Sequence, residues 1–306
     1  MSIIVVGSLN MDLIVRTPRI PAPGETILGH TFSTAPGGKG ANQAVAAAKL
    51  GAPVKLIGRV GADDFGKQLR SQLNAVGVDA QFVFEDAQAA SGVALISVDD
   101  QGQNSIIVAP GANGRVTRQD VDSAREAIRA ARVVIAQLEI PLDSVTYALR
   151  VAHNAGALTI LNPAPARQLS SELLQNVDVI IPNETEAALL TGLPVHDFDS
   201  ATQAAHALQQ MGARTVIITL GEKGALWLNE NAVAQQVTPF QVQVVDTTAA
   251  GDAFVGALGV ALAREQDWET SLRTASAAGA LAATKLGAQP SLPTRAELEE
   301  FLAGTP

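Results

Sequence analysis

The 306-residue sequence contains no cysteine, which excludes disulfides, thiolate zinc sites and a cysteine nucleophile. It is also short of positive charge. Lysine and arginine total 21 against 30 acidic residues, a net charge of −9 with a sequence pI near 4.9. That balance argues against nucleic acid or an anionic membrane as a partner, since both call for a basic face. No apolar run reaches the 18 or so residues of a membrane span. The start, MSIIVVGSLNMDL, lacks a basic n-region and a small-residue cleavage site, so it does not read as a signal peptide. A soluble, cytoplasmic, globular protein is expected. Repeats, charge blocks and low-complexity linkers are absent too, and a chain this long buries roughly three quarters of its unfolded surface.

Further absences narrow the chemistry. No G-x-G-x-x-G follows the first apolar run, which disfavours a dinucleotide enzyme. There is no G-x-S-x-G elbow. His30, His153, His196 and His206 show no metal-ligand spacing. Gly61-Ala-Asp-Asp-Phe-Gly66-Lys67-Gln68 approaches a phosphate loop but lacks the magnesium-binding Ser or Thr. Asp63 and Asp64 would repel phosphate there, so a structural turn is expected.

What the chain does have is alternation. Ile3–Val6, Val54–Ile57, Val133–Ile135, Leu158–Leu161, Val177–Ile181 and Val216–Thr219 are apolar runs suited to strands buried on both faces of a mostly parallel sheet. Helical patterns lie between and after them, at Ala41–Leu50, Lys67–Val76, Arg118–Ala130, Asp143–Ala155, Ala201–Met211, Ala253–Arg264 and about Ser271–Lys285. This is the pattern of a doubly wound α/β sheet. Two stretches, about 12–34 and 91–109, carry strand patterns and turns but no helix, and are read as a small attached β-sheet. Within Gly92–Val98 both faces are largely apolar, so one should meet a ligand or a partner chain.

Several segments could carry chemistry. In Pro36-Gly-Gly-Lys-Gly-Ala-Asn-Gln43, glycines around Lys39 let a ligand approach the backbone where a helix begins, although glycine there could equally tighten the packing. In Asp246-Thr-Thr-Ala-Ala-Gly-Asp252, a strand over Gln241–Val245 runs into a helix starting near Gly251. The N–H groups of Ala250, Gly251 and Asp252 would converge as an anion site, with a carboxylate useful for phosphoryl transfer beside it. Asp252 could instead simply complement the helix dipole. Asn183-Glu-Thr-Glu186 reads as a capping box or as polar groups at a strand's carboxyl end. Thr219-Leu-Gly-Glu-Lys-Gly224 reads as a β-turn or as a nucleotide contact. Asn10 and Asp12 follow the first strand, and a solvated turn would explain them as well.

Taken together, Gly37-Gly-Lys-Gly-Ala-Asn42, Asn183-x-x-Glu186 and Asp246-Thr-x-Ala-Ala-Gly-Asp252 resemble the ribokinase family of carbohydrate kinases, from about Ser2 to Ala303. Gly7-Ser-Leu-Asn-Met-Asp12, Asn162-Pro-Ala-Pro-Ala166 and Gly287-Ala-Gln-Pro-Ser291 add to the likeness. The resemblance implies a ribokinase-like three-layer αβα fold with a mostly parallel central sheet and a small β-sheet lid. It would form one domain over residues 1–306, its lid built from about 12–34 and 91–109. The implied activity is ATP- and magnesium-dependent phosphorylation of the 5-hydroxyl of D-ribose. Carried over by residue, Asn10, Asp12, Gly38, Lys39, Asn42 and Glu139 would hold the sugar, Glu139 ending a strand over Val133–Leu138. Asn183 and Thr219, Leu220, Gly221, Glu222, Lys223 and Gly224 would bind the nucleotide together with Gly251. Ser276 takes the place near the adenine where relatives often carry Asn or His. Glu186 would organise Mg2+ through water, Ala250 and Gly251 would form an anion hole, and Asp252 would be the base. Asp246, Thr248, Ala282, Lys285, Gly287 and Ser291 match positions for a monovalent cation, usually K+, several of them through carbonyl oxygens. The lid would also clasp a second subunit into a homodimer. A kinase of deoxyribose, a ketose or adenosine, and a non-catalytic sugar-binding protein of the same fold, are the competing readings.

Overall fold

The apolar runs become strands because helices cover them on both sides. In the computed structural model, which describes residues 2–304, the chain opens with β1 (Ile3–Val6), β2 (Asn10–Arg16), β3 (Thr31–Gly37), α1 (Lys39–Lys49), β4 (Val54–Gly61) and α2 (Asp64–Ala75). Next come β5 (Val78–Asp86), β6 (Gly92–Val98), β7 (Asn104–Ala109), a 3-10 turn over Gly111–Arg115, α3 (Arg118–Ser123) and α4 (Arg125–Arg129). They are followed by β8 (Val133–Ala136), α5 (Leu142–Asn154), β9 (Leu158–Leu161), α6 (Ser171–Leu174), β10 (Val179–Ile180) and α7 (Glu184–Thr191). The remainder is α8 (Phe198–Gln210), β11 (Thr215–Thr219), β12 (Ala225–Leu228), β13 (Ala234–Val237), α9 (Ala250–Ala263), α10 (Trp268–Ala283) and α11 (Arg295–Gly304).

Nine strands form one sheet in the order β13-β12-β11-β10-β9-β8-β1-β4-β5. All neighbours are parallel except at β12 and β13, which close one edge as antiparallel strands. Side chains alternate across the sheet, so the core splits into two layers. Ile3, Val5, Leu56, Ile135, Ile160 and Ile217 pack with α1, α9 and α10 on one face. Ile4, Val6, Val134, Leu161, Ile180 and Ile218 pack with α5 and α8 on the other. This is the expected three-layer αβα arrangement. No helix among the described residues is long and apolar enough to cross a membrane.

A second sheet of four strands, β3-β2-β6-β7, comes from the two helix-free stretches. Its strands run slightly past the expected limits, β2 starting at Asn10 and β3 ending at Gly37. The register places Asp12 opposite Ala94 and Ala94 opposite Val108, so one face carries Asn10 and Asp12 with Ala94, Ile96 and Val108. The reverse face carries Leu13 with Leu95 and Ile107. Phe32, Leu95, Ile106 and Ile107 stand exposed, Ile107 at 65%.

Three local expectations need correction. Gln241–Val245 pairs with no strand among the described residues. Val244 and Val245 are each 58% exposed, and the N–H groups of Val245 and Asp246 donate to the Ala283 carbonyl at the end of α10. The β-branched alternation is present, but no strand edge runs alongside it. The helix expected over Arg118–Ala130 breaks at Ala124, whose N–H turns back three residues to the Val121 carbonyl. The strand expected over Val133–Leu138 ends at Ala136, because the Leu138 N–H leaves the ladder for the Ala164 carbonyl. The Gly61–Gln68 segment, expected as a structural turn, caps the start of α2: the Asp63 carboxylate accepts from the Gly66 N–H (2.8 Å) and from Ser91 (2.8 and 2.7 Å).

Candidate active site

Parallel strands deliver their carboxyl ends to one edge of the sheet, and α/β folds bind ligands there. Gly7–Asn10 follows β1, Gln137–Glu139 follows β8, Asn162 follows β9, Asn183 follows β10, and Thr219 ends β11. The sugar candidates are assembled by the docking of α1 onto the turn after β1. The Ala41 N–H bonds the Ser8 carbonyl at 2.9 Å. A Cβ on Gly40 would lie 2.5 Å from the Ser8 nitrogen, so only glycine permits that approach. Gly38 caps α1 at φ +89, and a Cβ there would lie 2.8 Å from the Asn10 nitrogen. Glu139 completes the group, accepting from the Lys39 N–H at 3.1 Å and from the Ser8 hydroxyl at 2.5 Å.

Asp252 lies in the first turn of α9, buried to 6% exposure. Its two carboxylate oxygens accept from the Asn42 and Gln43 side-chain amides, each at 2.9 Å. Ala249, just before the helix, takes φ +60, a conformation that costs an L-residue on the order of 1 kcal/mol and is held only by its surroundings. The Ala250 N–H is engaged by the Thr247 carbonyl at 3.1 Å. The N–H groups of Gly251 and Asp252 have no partner among the described residues, so they are the open donors of this turn. A Cβ on Gly251 would meet nothing within 4 Å, which leaves room for a ligand against the backbone.

Electrostatics tie these groups together. Burial, with Glu139 and Asp252 adding to it, pushes the Asp12 carboxyl up to about 7. Burial works against the Lys39 ammonium, yet Asp252, Glu139 and Glu186 together hold it above its ordinary value. Burial also raises Glu186, against the opposing effects of the Asn183 N–H and Lys39. Three acids and one lysine thus share a field with Asp252, an arrangement suited to binding hydroxyls and handling phosphate charge.

The nucleotide candidates form a neighbouring group. Asn183 and Glu186 make a full capping box on α7, with bonds of 2.8 and 2.9 Å. The Asn183 backbone also bridges to Thr219, which brings the turn Gly221–Lys223 alongside. Leu220 is buried, Glu222 exposed, and Lys223 Nζ donates to the His196 carbonyl at 2.8 Å. Ser276 is half-buried on α10 and has no hydrogen bond to either group among the described residues. Asp246 joins the remaining candidates. One of its oxygens accepts from the Thr248 N–H and hydroxyl (2.9 and 2.6 Å), and the other from the Gly287 N–H at 2.9 Å. Although burial opposes it, these donors hold the Asp246 carboxyl below the usual range. Lys285 Nζ pairs with Glu297, Ala282 offers its carbonyl to the Lys285 N–H, and Ser291 is buried beside Ala288.

Sequence reasoning left out three residues. Asn113, 1% exposed, bonds both the N–H and the carbonyl of Leu9 and donates to Asn10 Oδ1 at 2.8 Å, which fixes how the Asn10 amide points. Gln43 and Gln137, both fully buried, back the Asp252 carboxylate. A buried amide in an otherwise Ala-rich helix was the available signal for Gln43. Two cavities, about 350 Å³ beside Trp227 and Trp268 and about 480 Å³ between Met11 and Lys67, are lined by none of the site residues.

A profile of the pfkB family carbohydrate kinases matches residues 1–295. The chain belongs to that family. This kinase is 43% identical over 298 residues to a ribokinase of Haemophilus influenzae, covering 97% of each chain. It is 38% identical over 304 residues to a deoxyribokinase of Salmonella typhimurium, covering 99% of each. Its backbone matches a ribokinase of Arabidopsis thaliana, solved with ribose and ATP, at TM-score 0.92 and 36% identity over 99% of each chain.

Proposed function

We propose that this kinase transfers the γ-phosphoryl group of ATP to the 5-hydroxyl of D-ribose, with Asp252 as the base. The observation that carries the reading is the buried Asp252 carboxylate, fixed by two amides beside the open N–H of Gly251. Asn10, Asp12, Gly38, Lys39, Asn42 and Glu139 hold the sugar so that its hydroxyl meets Asp252. Asp252 takes the hydroxyl proton as the oxygen forms its bond to phosphorus. The bond to the leaving ADP oxygen breaks, and the Gly251 N–H, at the turn entered through Ala250, stabilises the charge on the transferring group. Asn183 and the Thr219–Gly224 turn hold the nucleotide, with Ser276 towards its base.

Glu186 suits a magnesium ion held through water: its Oε2 is taken by the Asn183 N–H, while Oε1 has no partner among the described residues. The ion supplies charge neutralisation on the phosphates. The Asp246 neighbourhood, with Thr248, Ala282, Lys285, Gly287 and Ser291, offers carboxylate, hydroxyl and carbonyl oxygens, a hard donor set that fits K+. The Lys285 charge is already paired with Glu297. Apolar side chains on the four-stranded lid favour a homodimer formed through it. The likeness to a deoxyribokinase keeps deoxyribose as the second reading.

The test is ADP release with ATP, Mg2+ and a panel of ribose, deoxyribose, fructose and adenosine, for the parent and Asp252→Asn. Ribose should give the highest kcat/KM, and Asp252→Asn should lower kcat by about 10²–10⁴-fold while sugar binding persists. A folded Asp252→Asn protein within about tenfold of the parent would falsify the role of the base. No turnover with any sugar would leave only a binding protein.

A further inference from the structure

The Asp252 carboxylate is held by a chain of side-chain amides whose orientation is set by its ends. Asn162 Nδ2 donates to the Ile181 carbonyl at 2.9 Å, an acceptor only, so Asn162 must turn Oδ1 the other way. That oxygen accepts from Gln43 Nε2 at 3.0 Å, and the same Nε2 donates to Asp252 Oδ1 at 2.9 Å. Two groups that can only accept here, the carboxylate and the Asn162 oxygen, therefore both demand the Gln43 nitrogen. Gln43 Oε1 then faces Gln137 Nε2 at 2.5 Å. Gln137 leaves its own Oε1 without a partner among the described residues, pressed towards Gly7, where a Cβ would lie only 2.0 Å away. A buried carbonyl without a donor is unfavourable, and an apolar side chain would avoid it. An amide kept under that condition points to its N–H, the group that locks Gln43.

We infer that Gln43, locked in place by Gln137 and Asn162, is the positioning residue that aims the Asp252 carboxylate at the reacting hydroxyl. The inference rests on Asp252 being the base. Asn42 fixes Oδ2 and Gln43 fixes Oδ1, so the carboxylate cannot rotate, while each oxygen keeps a lone pair for the hydroxyl proton. Gln43 is fully buried, so its effect passes through Asp252. The charged groups sharing the field of Asp252 are Asp12 on β2, Lys39 on α1, Glu139 after β8 and Glu186 on α7.

The experiment uses full-length Gln43→Met and Gln137→Met, which leave every one of those charges in place, and follows kcat and KM for ribose and ATP. Gln43→Met should lower kcat about 10- to 100-fold, the effect of one bond to a charged group. It should leave KM for ribose and for ATP within about threefold, so that the loss falls on kcat alone. Gln137→Met should act in the same direction but more weakly, and it carries the test alone if Gln43→Met does not fold. Parental kcat in the folded variant overturns the inference. So does a rise in KM for ribose or ATP that matches the fall in kcat, which is the mark of a general packing defect. Asp252→Asn, measured in parallel, separates the two levels: turnover retained there removes the base itself, whatever Gln43→Met does.

Discussion

Replacing Asp12 by asparagine should stabilise the folded chain above neutral pH and much less below it. Burial, Glu139 and Asp252 raise the Asp12 carboxyl from its usual 3.8 to about 7. Between those values the folded protein holds a proton that the unfolded chain has released, so stability falls as the pH rises through the window and the whole cost is present above about pH 7. At about 1.4 kcal/mol per pH unit, the full difference is on the order of 4 kcal/mol, of which about 2–3 kcal/mol develops between pH 5 and pH 8. The amide introduced by Asp12→Asn cannot ionise, so the variant lacks that slope. Unfolding free energies from urea titrations of parent and variant at pH 5 and pH 8 give the comparison, and the gap should widen by that amount at the higher pH. A gap of equal size at both pH values would show that Asp12 is an ordinary exposed carboxylate and that the field described for the sugar site is wrong. The same substitution should raise the KM for sugar by about tenfold or more, because an acceptor for a hydroxyl is lost.

Gly38→Ala should cost about 1–3 kcal/mol of stability and abolish sugar binding, since φ +89 and a Cβ 2.8 Å from the Asn10 nitrogen both oppose it; thermal melting and sugar titration check this. Turnover should be higher in potassium than in tetramethylammonium with sodium excluded, and Asp246→Asn should erase the difference; equal rates for the parent in both salts would count against a cation there. Ile107→Asp, on the exposed apolar lid face, should convert a dimer into a monomer by sedimentation at micromolar concentration, and a monomeric parent would refute the interface.

Strands buried on both faces announce themselves, and Ile3–Val6 and Leu158–Leu161 coincide with observed strands. β5 is hard to read because it mixes exposed polar residues with apolar ones at the sheet's edge, a weaker signal than a continuous run. Gln241–Val245 misleads in the opposite sense, since strand-like composition does not supply a partner edge. In the site, the glycines and Asp252 stand in recognisable runs, but their supporting shell does not. Gln43 meets Gln137 across 94 residues and Asp252 across 209, and Asn113 reaches Asn10 across 103. Such pairings exist only once the sheet has brought its carboxyl ends together. The Asn183–Glu186 box shows a further reason: one pattern serves a helix cap and a candidate ligand site at once, so the local rule cannot separate them.

The contact at Gly256 bears on how such a kinase could change its substrate. A Cβ there would lie 2.6 Å from Ala46 Cβ and 2.9 Å from the Gln43 carbonyl, so the helices carrying Asp252 and Asn42 meet at backbone distance, with no room for a larger side chain. That floor has no freedom to vary in shape. The roof does: Ala94, Ile96 and Val108 share a lid face with Asp12, on strands with one partly open side, where a methyl group can be added or removed without moving α1 or α9. Diversification among sugars would therefore accumulate in the lid strands, while the seam between the two helices stayed small-residue and silent. A library confined to positions 94, 96 and 108 should yield altered sugar preference with ATP handling intact; one confined to the Ala46–Gly256 seam should yield mainly inactive chains.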